Sequence, residues 1–269
     1  DLASVWCAYA EMELKHKNYG EALAVMRKAC VAPAKMTRAS ADDESVRVQK
    51  RLYRSTKLWA FYADLEENLG TLDGAKAAYE TMLDLKVATP QIVLNYAALL
   101  EEHKFFEQAY RAYEKGTGLF NFPHVFPIWV AYLKRFIGRY KGTKKERARD
   151  LFEQAVSKLT EKNARRLYLL YAKFEEDYGL ARRAMDVYAR ACKAVALAER
   201  ASMYSVYIAR VCDLFGVAKS REIYHEAIKE LPQKDLKPMC VRYAAVERRL
   251  GEIDRARAIY QYTAQFCDP

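Results

Sequence analysis

The sequence has few of the residues, and none of the long apolar runs, that mark several common classes of protein. Of its 269 residues, only 10 are glycine, 7 are proline and 4 are histidine. No apolar run approaches the ~20 residues that a membrane-spanning helix needs, and no stretch of the given sequence has the pattern of a secretory signal peptide. The sequence therefore predicts a protein without membrane contact.

Metal and enzyme motifs are also missing. The six cysteines form no C-x-x-C pair and fit no zinc spacing, so they predict reduced, mostly buried thiols of an intracellular protein rather than a disulfide framework. The four histidines, at positions 16, 103, 124 and 225, have no metal-ligand spacing. No P-loop, G-x-S-x-G, H-E-x-x-H or dinucleotide fingerprint occurs. The sequence predicts neither an enzyme nor a bound cofactor or metal.

Three glutamate pairs are the nearest approach to an acid–base constellation: Glu66–Glu67, Glu101–Glu102 and Glu175–Glu176. Their recurrence near the end of the same repeated segment favours a structural or solvated role. The first glutamate of a pair is a candidate partner for a neighbouring arginine or for a helix-end amide.

What the sequence does contain is apolar material and positive charge. It is 52% hydrophobic, which is too high for a disordered chain, and 45 lysines and arginines against 35 acids give a net charge of +10. Such a charge favours acidic surroundings, whether nucleic acid or acidic proteins. Because the first residue is aspartate, we expect the chain to be a piece of a longer protein.

The dominant feature is an internal repeat. Seven segments share a tyrosine, and the intervals between successive tyrosines are 53, 34, 36, 39, 36 and 36 residues. The aligned tyrosines are Tyr9, Tyr62, Tyr96, Tyr132, Tyr171, Tyr207 and Tyr243. Trp6, Trp59 and Trp129 stand three residues before the first, second and fourth of them.

Each segment is followed by a second one with its own anchor residue. The anchors are Met26, Tyr79, Tyr113, Phe152, Tyr188, Tyr224 and Tyr260, and six of the seven are aromatic. A small residue four positions earlier, namely Ala75, Ala148, Ala184 or Ala256, lies on the same helical face as the aromatic and lets two helices approach closely.

Both segments have the apolar spacing of amphipathic helices. Six glycines lie between the two segments of a repeat, where we expect left-handed helix ends, and six of the seven prolines lie between repeats. The sequence thus predicts an all-α fold: an α-solenoid of about seven TPR-like helical hairpins, forming a right-handed superhelix.

Residues 1–269 are predicted to form one such solenoid. The long first interval leaves room for an inter-repeat loop at residues 32–45, ordered or disordered, because Ala32–Ser45 is small, polar and aperiodic. The helix that follows could begin near Val46.

The repeat consensus resembles the HAT (half-a-TPR) type rather than the tetratricopeptide type. The pattern W-x2-Y-x3-E is matched by Trp6, Tyr9 and Glu13 and again by Trp59, Tyr62 and Glu66. The pattern A-R-x-[IVL]-[YF]-E-x-A is matched in full from Ala148 to Ala155 and in part from Ala256 to Tyr260. Departures occur at Val93 in the tryptophan slot and at Met26 in the aromatic slot.

Longer stretches, such as "LYLLYAKFEEDYGLARRAMDVYARA" and "GEIDRARAIY", resemble the C-terminal part of the Syf-type pre-mRNA-splicing factors. That resemblance implies a nuclear, non-enzymatic scaffold of the NineTeen-complex part of the spliceosome. It implies as neighbours a crooked-neck-like HAT scaffold, an Isy-type factor and an Aquarius-type helicase. For some members it also implies a role in transcription-coupled repair.

One stretch could contact a partner directly. "YKGTKKERAR", Tyr140–Arg149, is rich in lysine and arginine and is predicted to form the turn between the helices of the fourth repeat. It is either a solvated helix start or a contact for RNA phosphates or an acidic protein. The candidate contact residues are Lys141, Lys144, Lys145, Arg147 and, in the last repeat, Arg255. Arg149 and Arg257 match the HAT consensus instead and are expected to tie helices together.

Overall fold

The computed structural model describes residues 2–31 and 52–265. In these ranges the chain forms fourteen α-helices and no β-strand. The helices are α1 (Leu2–Lys15), α2 (Tyr19–Ala29), α3 (Thr56–Leu69), α4 (Leu72–Asp84), α5 (Pro90–Glu102), α6 (Phe106–Leu119), α7 (Phe126–Tyr140), α8 (Lys145–Ser157), α9 (Glu161–Tyr178), α10 (Ala181–Ala194), α11 (Leu197–Phe215), α12 (Ser220–Glu230), α13 (Gln233–Arg249) and α14 (Ile253–Ala264). The predicted loop at 32–45 and the helix start near Val46 lie outside the described residues.

Consecutive helices pair as seven hairpins, and each hairpin coincides with one repeat of the sequence. The aligned tyrosines lie on the odd-numbered helices and the anchors on the even-numbered ones. The predicted all-α repeat fold is therefore confirmed. We call the first helix of each hairpin helix A and the second helix B. The handedness of a superhelix stays a prediction.

Contacts divide the chain into two compact units, Asp1–Tyr132 and Leu133–Pro269. The first unit holds three complete hairpins and the beginning of α7, and its core is built from buried Ala, Leu and Tyr side chains of both helix layers. The second unit holds the end of α7, α8 and three further hairpins. Its largest fully buried side chains include Phe136, Phe152, Leu167 and Tyr204.

Local sequence explains where several helices begin. The hydroxyls of Ser55, Thr71 and Thr89 each accept a hydrogen bond from the backbone N–H three residues later, as N-caps do. Pro90 is the first residue of α5, where its missing N–H costs nothing. Pro238, by contrast, lies inside α13 rather than between repeats, because that helix begins at Gln233.

The glycines between helices A and B do not share one conformation. Only Gly216 and Gly251 have positive φ, at 86° and 82°, among the glycines of the described ranges. Gly179 has negative φ, but a Cβ there would collide with the Glu175 carboxylate. The expectation of left-handed helix ends at all six positions is therefore wrong: at Gly179 the requirement is space for a buried acid.

Candidate interaction surface

The rings of the repeat connect one hairpin to the next from the second hairpin to the seventh. The anchor ring of one helix B stacks on the tyrosine of the following helix A, and this contact recurs at five successive repeat junctions. The pairs and their centroid distances are Tyr79–Tyr96 at 5.0 Å, Tyr113–Tyr132 at 5.2 Å, Phe152–Tyr171 at 4.5 Å, Tyr188–Tyr207 at 5.8 Å and Tyr224–Tyr243 at 4.7 Å. The sequence repeat thus encodes the junction between repeats.

Tyrosine hydroxyls add a polar layer to these junctions. Tyr171 donates to Glu153, the residue that follows the preceding anchor, at 3.1 Å, and Tyr96 and Tyr132 donate to the equivalent Glu80 and Glu114. Within a hairpin, the Tyr188 hydroxyl donates to Glu176 at 3.1 Å. Burial, reinforced by the charge of Glu176, raises the pKa of Tyr188 to about 12.

The second member of a glutamate pair therefore accepts from a helix-B tyrosine, as Glu67 does from Tyr79 and Glu176 does from Tyr188. In the third repeat it is the first member, Glu101, that accepts from Tyr113, at 3.4 Å. These carboxylates accept hydrogen bonds from side chains within the hairpin, in agreement with a structural role of the glutamate pairs.

Buried carboxylates of helix A form a second kind of junction, because each pairs with an arginine of the preceding helix B. Arg149 donates through Nε and Nη2 to both carboxylate oxygens of Glu175, at 2.6 and 2.9 Å. Arg221 does the same to Glu247 at 2.7 and 2.8 Å. The hydrogen bonds to Glu175 raise the pKa of Arg149, so the guanidinium stays charged.

Arg257 occupies the same position of the last repeat as Arg149 and Arg221 do in theirs, yet it is 71% exposed. Its ion pair within the described ranges is with Asp254, three residues away on its own helix, at 3.0 Å. The expectation that Arg257 ties helices together thus has no counterpart in the described contacts, whereas Arg149 does join α8 to α9.

The other repeat residues lie mostly in the core. Ala75, Ala148, Ala184, Ala256, Trp59 and Trp129 are buried, as are all the stacked rings of the inner junctions. Trp6 and Tyr62 are half-buried. Tyr9 and Tyr260, in the first and last hairpins, are 46% and 41% exposed.

The basic turn of the fourth repeat lies between α7 and α8. Lys141, Lys144, Lys145 and Arg147 are all exposed there. The Lys144 ammonium lies 4.0 Å from the centre of the Tyr140 ring, and the Arg147 guanidinium lies 5.8 Å from that of Phe136. Lys141 has φ 42°, one of several turn lysines with positive φ. The structure thus brings four of the five candidate contact residues together on one turn.

The fifth, Arg255, lies in a groove between α12 and α14. The groove has a volume of about 530 Å³ and is lined in part by Arg221, His225 and Tyr243. Arg255 is half-exposed and lies 3.9 Å from Glu252 on its own helix. The structure gives no contact between Arg255 and the basic turn.

The four histidines do not cluster. His225 Nε2 lies 3.2 Å from the Tyr243 hydroxyl, whereas His16, His103 and His124 are exposed. In the described ranges no three His, Cys, Asp or Glu side chains are placed to hold a metal ion. No helix of those ranges is both long and apolar enough to cross a bilayer.

Comparison with known proteins agrees with the repeat consensus. A family model described as the pre-mRNA-splicing factor Syf1/CRNKL1 C-terminal HAT repeat matches residues 1–269. The chain is 54% identical over its whole length to pre-mRNA-splicing factor SYF1 of Homo sapiens and 51% identical to the syf1 homolog of Drosophila melanogaster. It is 44% identical to pre-mRNA-splicing factor cwf3 of Schizosaccharomyces pombe. The chain spans 31%, 30% and 34% of these three relatives, respectively.

Two solved bacterial structures share a more distant likeness. One is the C-terminal part of a TPR repeat-containing protein from Cytophaga hutchinsonii, with 15% identity and a TM-score of 0.39, covering 96% of this chain and 94% of that one. The other is a tetratricopeptide repeat protein from Parabacteroides merdae, with 13% identity and a TM-score of 0.36, covering 99% and 93%. The repeat fold itself rests on the helices and junctions described above. Because the family model spans the whole chain and the Homo sapiens protein is 54% identical to all of it, the chain belongs to the Syf1/CRNKL1 C-terminal HAT-repeat family of pre-mRNA-splicing factors.

Proposed function

We propose that this chain is a non-enzymatic protein-interaction scaffold that supports pre-mRNA splicing in the nucleus. The observation that carries the proposal is the repeated junction, in which five ring stacks and the buried Arg–Glu pairs fix one hairpin on the next. The chain belongs to a family of pre-mRNA-splicing factors, and this supports splicing as the process in which the scaffold acts.

The proposed mechanism is positioning. A hairpin whose core and junctions are filled by its own rings and ion pairs leaves its helix ends and outer faces for partners. Several weak contacts on one such body add to a high avidity, because each bound partner raises the effective concentration of the next. No chemical step on a substrate is part of this function.

The proposed partners are other splicing factors: a crooked-neck-like HAT scaffold, an Isy-type factor and an Aquarius-type helicase. Crosslinking mass spectrometry on nuclear extract containing the tagged chain tests this directly. Crosslinks from the chain to splicing factors are expected. Crosslinks confined to abundant proteins outside the splicing machinery would overturn the proposal.

Direct RNA binding by the basic turn is the alternative, favoured by its four exposed cations, two of which lie over rings: Lys144 over Tyr140 and Arg147 over Phe136. A salt titration of RNA affinity separates the two functions, because a site that contacts several phosphates has a steep dependence on salt. A slope flattened by Lys144→Glu and Lys145→Glu would support RNA binding. Affinity too weak to measure at physiological salt would exclude it.

A further inference from the structure

In the unit Leu133–Pro269 the turns between helices A and B lie at a common edge. The stacks Phe152–Tyr171, Tyr188–Tyr207 and Tyr224–Tyr243 repeat the same contact, so successive hairpins have the same orientation and their turns project to the same side. We call the turn residues 141–147, 179–183, 214–219 and 248–255 the turn edge.

The last three turns of this edge expose large apolar side chains. Six such residues are between 37% and 62% exposed: Leu180, Leu214, Phe215, Val217, Leu250 and Ile253. A single exposed leucine is ordinary, but recurrence at the same edge of three adjacent hairpins makes a patch, and patches of this kind mark interaction sites. The turn of the fourth repeat has Lys141, Lys144 and Lys145 there instead.

The charges around the patch are unbalanced. Arg182 and Arg183 follow Leu180, and Arg248 and Arg249 precede Leu250; all four are exposed and have no ion pair within the described residues. The acids of the last two turns are engaged by neighbouring cations, since Asp213, Glu222, Glu252 and Asp254 each lie within 4 Å of a lysine or arginine. Asp177 has no such partner. The edge therefore combines apolar anchoring points with uncompensated positive charge.

We propose that the turn edge binds an acidic amphipathic helix of a protein partner. This inference rests on the proposed scaffold function and specifies one of its surfaces. Neighbouring hairpins are separated by about one helix-packing distance, ~8–10 Å, and two turns of an α-helix advance about 10.8 Å. A helix laid along the edge can therefore place one apolar side chain on each of the last three turns.

The acidic residues of the partner lie in two places. Those between its anchors face the arginine pairs, and an acidic terminus lies over the lysines of the fourth turn. RNA fits this edge poorly, because leucine, isoleucine and valine offer bases no stacking surface. Phe215 lies in the middle of the three turns and is the aromatic anchor of the site.

The test uses the recombinant chain and a fluorescein-labelled helical peptide of about three heptads, with leucine at one position in each heptad and glutamate beside it. Fluorescence anisotropy measures the affinity. We expect saturable binding that Phe215→Ser weakens at least about tenfold, as for a central anchor. Arg248→Glu with Arg249→Glu should weaken it similarly, and so should replacing the peptide glutamates with glutamine.

The matched controls lie at the opposite ends of the helices. Leu197→Ser removes an apolar side chain that is 59% exposed at the start of α11, and Lys234→Glu with Lys237→Glu reverses two charges at the start of α13. Both should leave the affinity unchanged. Circular dichroism of each variant should match that of the parent chain, because all the replaced side chains are exposed.

Three results would overturn the proposal: no binding of the peptide, binding insensitive to Phe215→Ser, or equal weakening by the control variants. Binding of polyuridine RNA that is lost on charge reversal but retained in Phe215→Ser would assign the edge to RNA instead. The scaffold function and the turn-edge proposal can be refuted independently. If nuclear-extract crosslinks reach splicing factors from other surfaces while the peptide does not bind, only the turn edge is refuted.

Discussion

Two arginine–glutamate pairs in neighbouring repeats allow a sharp test of what holds the hairpins together. Arg149 and Glu175 have side chains only 11% and 1% exposed, whereas Arg190 and Glu153 are both 45% exposed. Both arginines reach both oxygens of their glutamate, and all four bonds are between 2.6 and 2.9 Å. The number and length of the hydrogen bonds are thus matched, and burial differs.

Replacing Arg149 with methionine leaves the Glu175 carboxylate buried without its countercharge. Loss of one partner of a buried pair costs about 3–5 kcal/mol of the free energy of unfolding. The same change at Arg190 leaves Glu153 in contact with solvent and should cost about 0.2–1 kcal/mol. A double variant with methionine at both 149 and 175 should recover most of the loss, because the buried charge is then removed.

Urea unfolding followed by circular dichroism at 222 nm measures the effect. With a urea dependence of ~1–3 kcal/mol per molar, Arg149→Met should lower the midpoint by more than about 1 M and Arg190→Met by much less. Hydrogen exchange should show that the loss of protection is centred on α8 and α9. Equal midpoint shifts for the two arginine variants, or a double variant no better than Arg149→Met, would refute the reasoning.

Three further predictions concern the rings, the glycines and pH. Phe152→Ala should lower the free energy of unfolding by about 3–5 kcal/mol, since the ring is fully buried, whereas Tyr260→Ala, at an exposed ring, should cost less than about 1 kcal/mol. Equal losses in urea unfolding would contradict the role of the buried rings in joining the hairpins. Gly179→Ala should cost about 1–3 kcal/mol because its Cβ meets the Glu175 carboxylate, while Gly138→Ala, with open space around it, should be neutral or stabilising in thermal unfolding. Burial raises the pKa of Tyr188 and Tyr207 to about 12, so their contribution to stability is complete below pH ~10 and is lost as pH rises towards 12. The melting temperature, measured together with tyrosinate absorbance at 295 nm, should fall over that interval. A melting temperature that does not change with pH there would contradict this prediction.

Much of the fold could be predicted from the sequence, because the repeat itself carries the information. An interval near 36 residues with a tyrosine on each helix A and a ring on each helix B is enough to predict seven hairpins. The two consensus patterns, W-x2-Y-x3-E on helix A and A-R-x-[IVL]-[YF]-E-x-A on helix B, indicate the HAT type. The interval predicts the fold because each hairpin packs on its neighbour through side chains at the same repeat positions.

The spacing does not predict which side chains contact each other at each junction between hairpins. A same-face rule places Ala148 and Phe152 together on a helix, but it does not say that Phe152 meets Tyr171 of the next hairpin rather than a ring of its own. Arg149 and Arg257 look equivalent in sequence, yet only Arg149 lies against a following buried glutamate. Arg149 is followed by α9, which carries Glu175, whereas α14 with Arg257 is the last helix of the described ranges.

The sequence by itself thus determined the helix pattern, the repeat number and the family, since these depend on local spacing and composition. Only the tertiary structure decided which side chains remain exposed after the hairpins stack. Leu180, Phe215 and Leu250 are apolar, but they lie at the turns, where no neighbouring helix covers them, and each is more than 40% exposed. Burial is a property of the packed hairpins, so the turn edge becomes visible only when their positions are known.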